Sequence, residues 1–150
     1  TIDGQRVSKG TVINFFVNRA LNGETLTVYE PGTQSRNYIH VDDVARAYVH
    51  STERLLEQLA AGETGVEKYE IASDEDPGVQ TVAELVQQIT AEERGEDIEI
   101  ELVENPRGDG ETLVETFAVD TSSAQSVLGW EPTHSIEGSI RGLLRDAGDN

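Results

Sequence analysis

NGETLTVYEPGTQSRNYIHVDDVARAYV, residues Asn22 to Val49, decides the fold. It reads as turn, strand, Gly/Pro loop, strand and helix. Gly23 follows an apolar-periodic run (Val12, Ile13, Phe16, Val17, Ala20, Leu21), where a helix should end. Leu26–Tyr29 has strand composition, and Pro31-Gly32 is a turn signal. Tyr38-Ile39-His40-Val41 predicts a second short strand. Asp42 or Asp43 then caps a helix over about Asp43–Ala60, whose apolar face carries Val44, Ala47, Tyr48, Leu55 and Leu59.

The same reading continues in both directions. Thr11–Leu21 is the helix before the turn. Tyr69–Ala72 is expected to be a buried strand. Thr81-Val82-Ala83-Glu84 has the pattern of a capping box opening a helix with Val82, Leu85, Val86 and Ile89 on one face. Ile98–Val103 alternates as a strand, Asn105–Gly110 is a loop, and Thr116–Val119 is a brief strand. Thr121 or Ser122 starts a helix that Gly129 ends, and Ile136–Leu144 forms the last one. Alternating strands and helices predict an α/β fold. The 150 residues fit one domain and can bury about two-thirds of their unfolded surface.

Two motifs carry a resemblance. From Gly23 to Ala45 the chain follows G-x-x-L-x-[VI]-[YF]-G-x-G-x-Q-x-R-[DN]-[YFW]-[IVL]-[HY]-V-x-D-x-[AV], departing at Glu30, with Thr33 at an open position. Asp120–Pro132, DTSSAQSVLGWEP, resembles D-x-S-[KR]-[AI]-x-x-x-L-G-W-x-P. Both are similar to the C-terminal part of the extended short-chain dehydrogenase/reductases, the NAD-dependent nucleotide-sugar epimerases and dehydratases. That part builds the substrate-binding lobe and returns elements to a Rossmann half. Neither a Gly-x-Gly-x-x-Gly fingerprint nor a Tyr-x-x-x-Lys pair occurs in the chain, and it has no methionine. The expectation is therefore that residues 1–150 are a C-terminal substrate-binding fragment. The NAD-binding Rossmann half would lie outside it, and the chain alone would be inactive and bind no NAD.

The resemblance implies transient oxidation of a sugar at C4 by tightly held NAD, followed by epimerisation or dehydration. It also implies a homodimer for the complete enzyme. A UDP-sugar 4-epimerase is the first expectation and a dTDP-glucose 4,6-dehydratase the alternative within the family. A non-catalytic binding or regulatory module that keeps the fold is the alternative from another class.

The resemblance implies site roles as well. Arg36 binds the diphosphate, a fit for a planar guanidinium with two parallel donors; the bland alternative is a surface arginine paired with Asp42 or Asp43. Arg107, in a looser match over Asn105–Glu111, is the second phosphate contact, or else part of a mobile acidic loop. Thr27 and Tyr29 share one strand face beside the base, where an aromatic ring can stack. Val82 is an apolar contact or core. Thr11 and Val12 open the first helix, where free amides meet ligand oxygens or are simply capped. Phe117 aligns where the family often bears tyrosine. His40 reads as structural, and no His or Cys spacing suggests a metal.

Composition narrows the partners. Eleven basic against twenty-nine acidic residues give a net charge of −18, spread along the chain. Such a field repels nucleic acid and anionic membranes, and it suits a halophile whose carboxylates repel one another unless salt screens them. An acidic protein that holds an anionic nucleotide must gather positive charge locally, so each loop arginine carries weight. The absence of cysteine is compatible with a cytoplasmic protein, and no apolar run approaches the roughly 18 residues of a membrane span.

Overall fold

A computed structural model describes residues 11–106 and 116–147. The chain divides into two compact units. One comprises residues 1–33, 78–112 and 140–150, the other residues 34–77 and 113–139.

The first unit is built on helix packing over a two-stranded sheet. α1 (Val12–Leu21) starts where the Thr11 hydroxyl accepts from the Asn14 amide, and it buries Phe16, Val17 and Ala20. Gly23 follows at φ 67°, the left-handed conformation that ends a helix at little cost for glycine. β1 (Leu26–Tyr29) pairs in parallel with β2 (Ile100–Val103), Leu26 opposite Ile100 and Tyr29 opposite Val103. Leu26 and Val28 face the core, and Thr27 and Tyr29 face away, as strand alternation demands.

α3 (Val79–Arg94) supplies Val82, Ala83, Val86, Ile89 and Thr90 to this core. Its start corrects the sequence reading. The cap is Gly78, not a box on Thr81, and Thr81 lies inside the helix. The first-turn amide of Gln80 donates instead to the Gly32 carbonyl at 2.9 Å, so the loop does the capping. Gly32 must be glycine for this approach: its φ is +75°, and a Cβ there would meet Gln80 at 3.1 Å and Val28 at 3.2 Å. Ile140 and Leu144, from the later turns of α4 (Ile136–Asp146), are also buried.

The second unit holds α2 (Val41–Ala61), a π-type helical turn over Ala124–Leu128 and the first turn of α4. Its core joins Ala47, Ala124, Leu128 and Trp130, with Ile39, Tyr69 and Ile71 packed against them. Three expected strands are not strands. Tyr38–Val41 is cut short because α2 begins at Val41. Tyr69–Ala72 packs in the core without a ladder. Within Thr116–Val119 the Phe117 amide donates to the Asp76 carboxylate rather than to a neighbouring strand.

α2 buries only Asp43 and Ala47. Val41, Tyr48, Leu55 and Leu59, spaced by seven, seven and four residues, form one stripe and are 54–74% exposed. No helix among the described residues is long and apolar enough to cross a membrane.

Candidate functional site

The two motifs of the sequence meet at Asp43. This carboxylate is fully buried in the second unit. It accepts from Arg46 at 2.6 Å, from the Thr133 hydroxyl at 2.9 Å and from the amides of Thr133 and His134. Its backbone carbonyl takes the Trp130 indole N–H at 2.9 Å. Burial alone would raise its pKa, but the hydrogen bonds from Arg46, His134 and Thr133 outweigh it and hold the carboxyl well below the usual range. Asp43 is therefore a lock between the start of α2 and the segment after Trp130, not the helix cap expected from its position. The cap is His40, whose Nδ1 accepts from the Asp42 amide.

His40, Asp42 and His134 bring possible metal-ligand atoms within 4.8 Å of one another. The arrangement does not favour an ion. Nδ1 of His40 is already engaged by the Asp42 amide, and Nδ1 of His134 lies 3.1 Å from Asp43. The two rings also stack at 4.1 Å and 12°, whereas a shared metal must lie near both ring planes.

The segment before α2 carries the phosphate candidate. Ser35 Oγ donates to the Asp76 carbonyl at 2.6 Å. Asn37 Nδ2 donates to the Ser73 carbonyl at 2.8 Å while its Oδ1 accepts the Ser73 amide at 3.0 Å. The Tyr38 amide donates to the Glu75 carbonyl. Arg36 stands between these anchors, exposed. Burial pushes the Tyr38 hydroxyl pKa up, against the pull of the Arg36 guanidinium.

Seven of the nine arginines lie among the described residues. Six are engaged: Arg19 with Glu24, Arg46 with Asp43, Arg54 with Glu67, Arg94 with Glu96, and Arg141 and Arg145 with Glu93. Arg36 has no hydrogen bond or ion pair among the described residues. It is not paired with Asp42 or Asp43. Carboxylates of the adjoining loop are committed elsewhere, Glu75 to the Ile136 amide at 2.7 Å and Asp76 to the Phe117 amide at 2.6 Å.

The other predicted residues divide between the units. Thr27 and Tyr29 are on the outward face of β1, with Tyr29 51% exposed. Val82 is wholly buried among the described residues. Thr11 caps α1, and Val12 opens it half-buried. Phe117 is exposed in the second unit. Arg107 lies outside the described residues. Sequence reasoning missed the roles of Asp43, Ser35 and Asn37, because apart from Arg46 their partners are 36 to 91 residues away along the chain.

Residues 3–71 match the NAD dependent epimerase/dehydratase family. The chain is a relative of that family, and its fold is that of the extended short-chain dehydrogenase/reductases. It is 35% identical over 126 residues to UDP-glucuronic acid decarboxylase 6 of Arabidopsis thaliana, covering 84% of this chain and 32% of the relative. It is 33% identical over 142 residues to the low-salt glycan biosynthesis protein Agl12 of Haloferax volcanii, covering 94% and 40%. Among solved structures, UDP-glucose 4-epimerase of Thermotoga maritima with UDP-glucose superposes with a TM-score of 0.71 at 27% identity, covering 95% of this chain and 41% of that one. The chain thus spans about a third to two-fifths of the length of these relatives.

Proposed function

We propose that this chain is the nucleotide-sugar recognition part of an NAD-dependent UDP-sugar 4-epimerase-like enzyme of a halophile, working in the cytoplasm. The observation that supports this most is the free guanidinium of Arg36 at the arginine of the family motif. In a chain of net charge −18, a guanidinium left without a carboxylate is the scarce group that a diphosphate needs. Two phosphate oxygens can accept its parallel N–H donors, while Glu75 and Asp76 of the neighbouring loop each accept a backbone amide. Tyr29 keeps the base-stacking role and Arg107 the second phosphate role that the resemblance implies.

The residues of this chain do not fit NAD itself. The caps of α1, α2 and α3 are Thr11, His40 and Gly78, and no Gly-x-Gly-x-x-Gly loop precedes any of them. No step of hydride chemistry is assigned to this chain, and we propose that a Rossmann half supplies the NAD site. The exposed stripe of α2 is the surface we assign to that half. An apolar face on the side of a helix opposite its own core calls for a cover.

The test is turnover by the complete gene product supplied with NAD and, in turn, UDP-glucose, dTDP-glucose and UDP-glucuronate. Interconversion of sugars differing only at C4 is the expected result. A 4-keto-6-deoxy product would point to the dehydratase instead, and carbon dioxide release to a decarboxylase. A folded protein that binds none of the three refutes nucleotide-sugar recognition altogether.

A further inference from the structure

We infer that Ser35 and Asn37 are positioning residues for Arg36, with the neutral amide of Asn37 setting how strongly the site holds an anion. The inference rests on the reading of Arg36 as a phosphate ligand. Its ground is the anchoring pattern. On either side of Arg36 a side chain reaches the same loop, Ser73–Asp76. Ser35, only 3% exposed, donates to Asp76, and Asn37 makes a two-bond clamp on the Ser73 backbone. The clamp reproduces with a side chain what a strand pair does with two backbones. The loop is braced in turn: the Ser73 hydroxyl accepts from the Glu75 amide at 3.1 Å, Glu75 takes the Ile136 amide, and Asp76 takes the Phe117 amide. The backbone at residue 36 is therefore held while its guanidinium stays free.

Fixing the root of a long side chain reduces the freedom lost when a ligand binds, and so raises affinity without adding a contact. The amide matters twice. The Asn37 amide donates to the Ser73 carbonyl and also accepts from the Ser73 amide, which a carboxylate cannot do. An aspartate would lose the donated bond, oppose the carbonyl with a carboxylate, and set a negative charge one residue from the arginine that is to meet phosphate.

The experiment is a double-mutant cycle on UDP binding, measured by calorimetry with the complete gene product. Losing the Arg36 bonds outright corresponds to roughly a ten- to hundredfold loss. Asn37→Ala should cost part of that, roughly three- to tenfold, and Asn37→Asp should cost more than Asn37→Ala because charge is added. In the Arg36→Ala background Asn37→Ala should have little further effect, since it acts through that arginine, and Asn37→Asp should keep only the part of its loss that comes from direct repulsion of the nucleotide. A purely structural role would lower the melting temperature but act equally in both backgrounds. Ser35→Ala, which leaves the Asn37 clamp intact, covers the case in which an Asn37 variant fails to fold, and it too should weaken UDP only while Arg36 is present. Losses that are equal in the two backgrounds, or wild-type affinity in all three variants, overturn the inference and leave the Arg36 reading standing. Wild-type affinity in Arg36→Ala alone overturns both.

Discussion

Arg36 and Arg145 are both exposed arginines in a chain with twenty-nine acidic residues, yet they are used in opposite ways. Arg145 gives two hydrogen bonds to Glu93, at 2.7 and 2.9 Å, and Arg141 joins it there. Together they pull the Glu93 carboxyl down to about 2, the Arg145 bond contributing most. Arg36 has no partner among the described residues, although its segment adjoins a loop that contains Asp74, Glu75 and Asp76. Exposure does not separate the two. What separates them is pairing: Arg145 meets Glu93, whereas Arg36 meets no carboxylate among the described residues, although Glu75 and Asp76 of the adjoining loop each take a backbone amide.

The largest effect should come from breaking the third arginine environment, the buried one. Asp43→Ala removes the acceptor of Arg46, of the Thr133 hydroxyl and of two amides, and leaves the charge of Arg46 uncompensated. Asp43 is fully buried but the Arg46 side chain is 38% exposed, so the loss should stay below the roughly 3–5 kcal/mol of a wholly buried pair and still show clearly in chemical denaturation. The same group gives a pH dependence. Its folded pKa lies below the unfolded value of about 3.9, so its stabilisation is complete above that pH and declines as the pH falls toward the folded value. Acid unfolding that begins below about pH 4 in wild type should be shallower in Asp43→Asn. If the two acid profiles have the same shape, the lock is not electrostatic.

Salt comes next. At −18 net charge, self-repulsion should dominate at 0.1 M KCl, and molar salt shortens the screening length to about 3 Å. The melting temperature should rise steeply between 0.1 and 2 M KCl. A flat profile would sink the halophile reading.

α2 and α3 offer a parallel comparison. The apolar face of α3 is buried within the described residues, and the stripe of α2 is not. Both faces were legible as periodicity, and the α/β alternation followed from them. Which partner covers a face is not a local property, so the sequence alone could not rank the two. The same limit explains the misread caps. Thr81 and Asp43 satisfy local rules for helix starts, but the Gly32 carbonyl and the Thr133–His134 backbone, distant in sequence, decide their roles. Arg36 was singled out by its motif. That it makes no ion pair among the described residues, and that Ser35 and Asn37 bond the Ser73–Asp76 loop on either side of it, required the folded chain.

Smaller effects sharpen the α2 comparison. Leu55→Glu with Leu59→Lys should leave the unfolding free energy of the isolated 150-residue chain within about 0.5 kcal/mol of wild type, because both sites are exposed. The pair should also abolish any self-association seen by sedimentation. A large loss of stability would mean that the stripe is already covered. Arg145→Ala should have the smallest effect of all, a slight fall in melting temperature that disappears in molar salt, where exposed pairs are screened.

The most direct test is calorimetric binding of UDP and dTDP to the complete gene product at matched salt, comparing wild type, Arg36→Ala, Arg36→Lys and Arg145→Ala. Hydrogen bonds to charged groups contribute about 1.5–3 kcal/mol, so Arg36→Ala should bind both nucleotides roughly tenfold or more weakly. Arg36→Lys should recover part of the loss, because an ammonium cannot form the two-pronged contact. Arg145→Ala should bind as wild type does. Equal affinity in Arg36→Ala and wild type would contradict the assignment of Arg36 as the phosphate ligand.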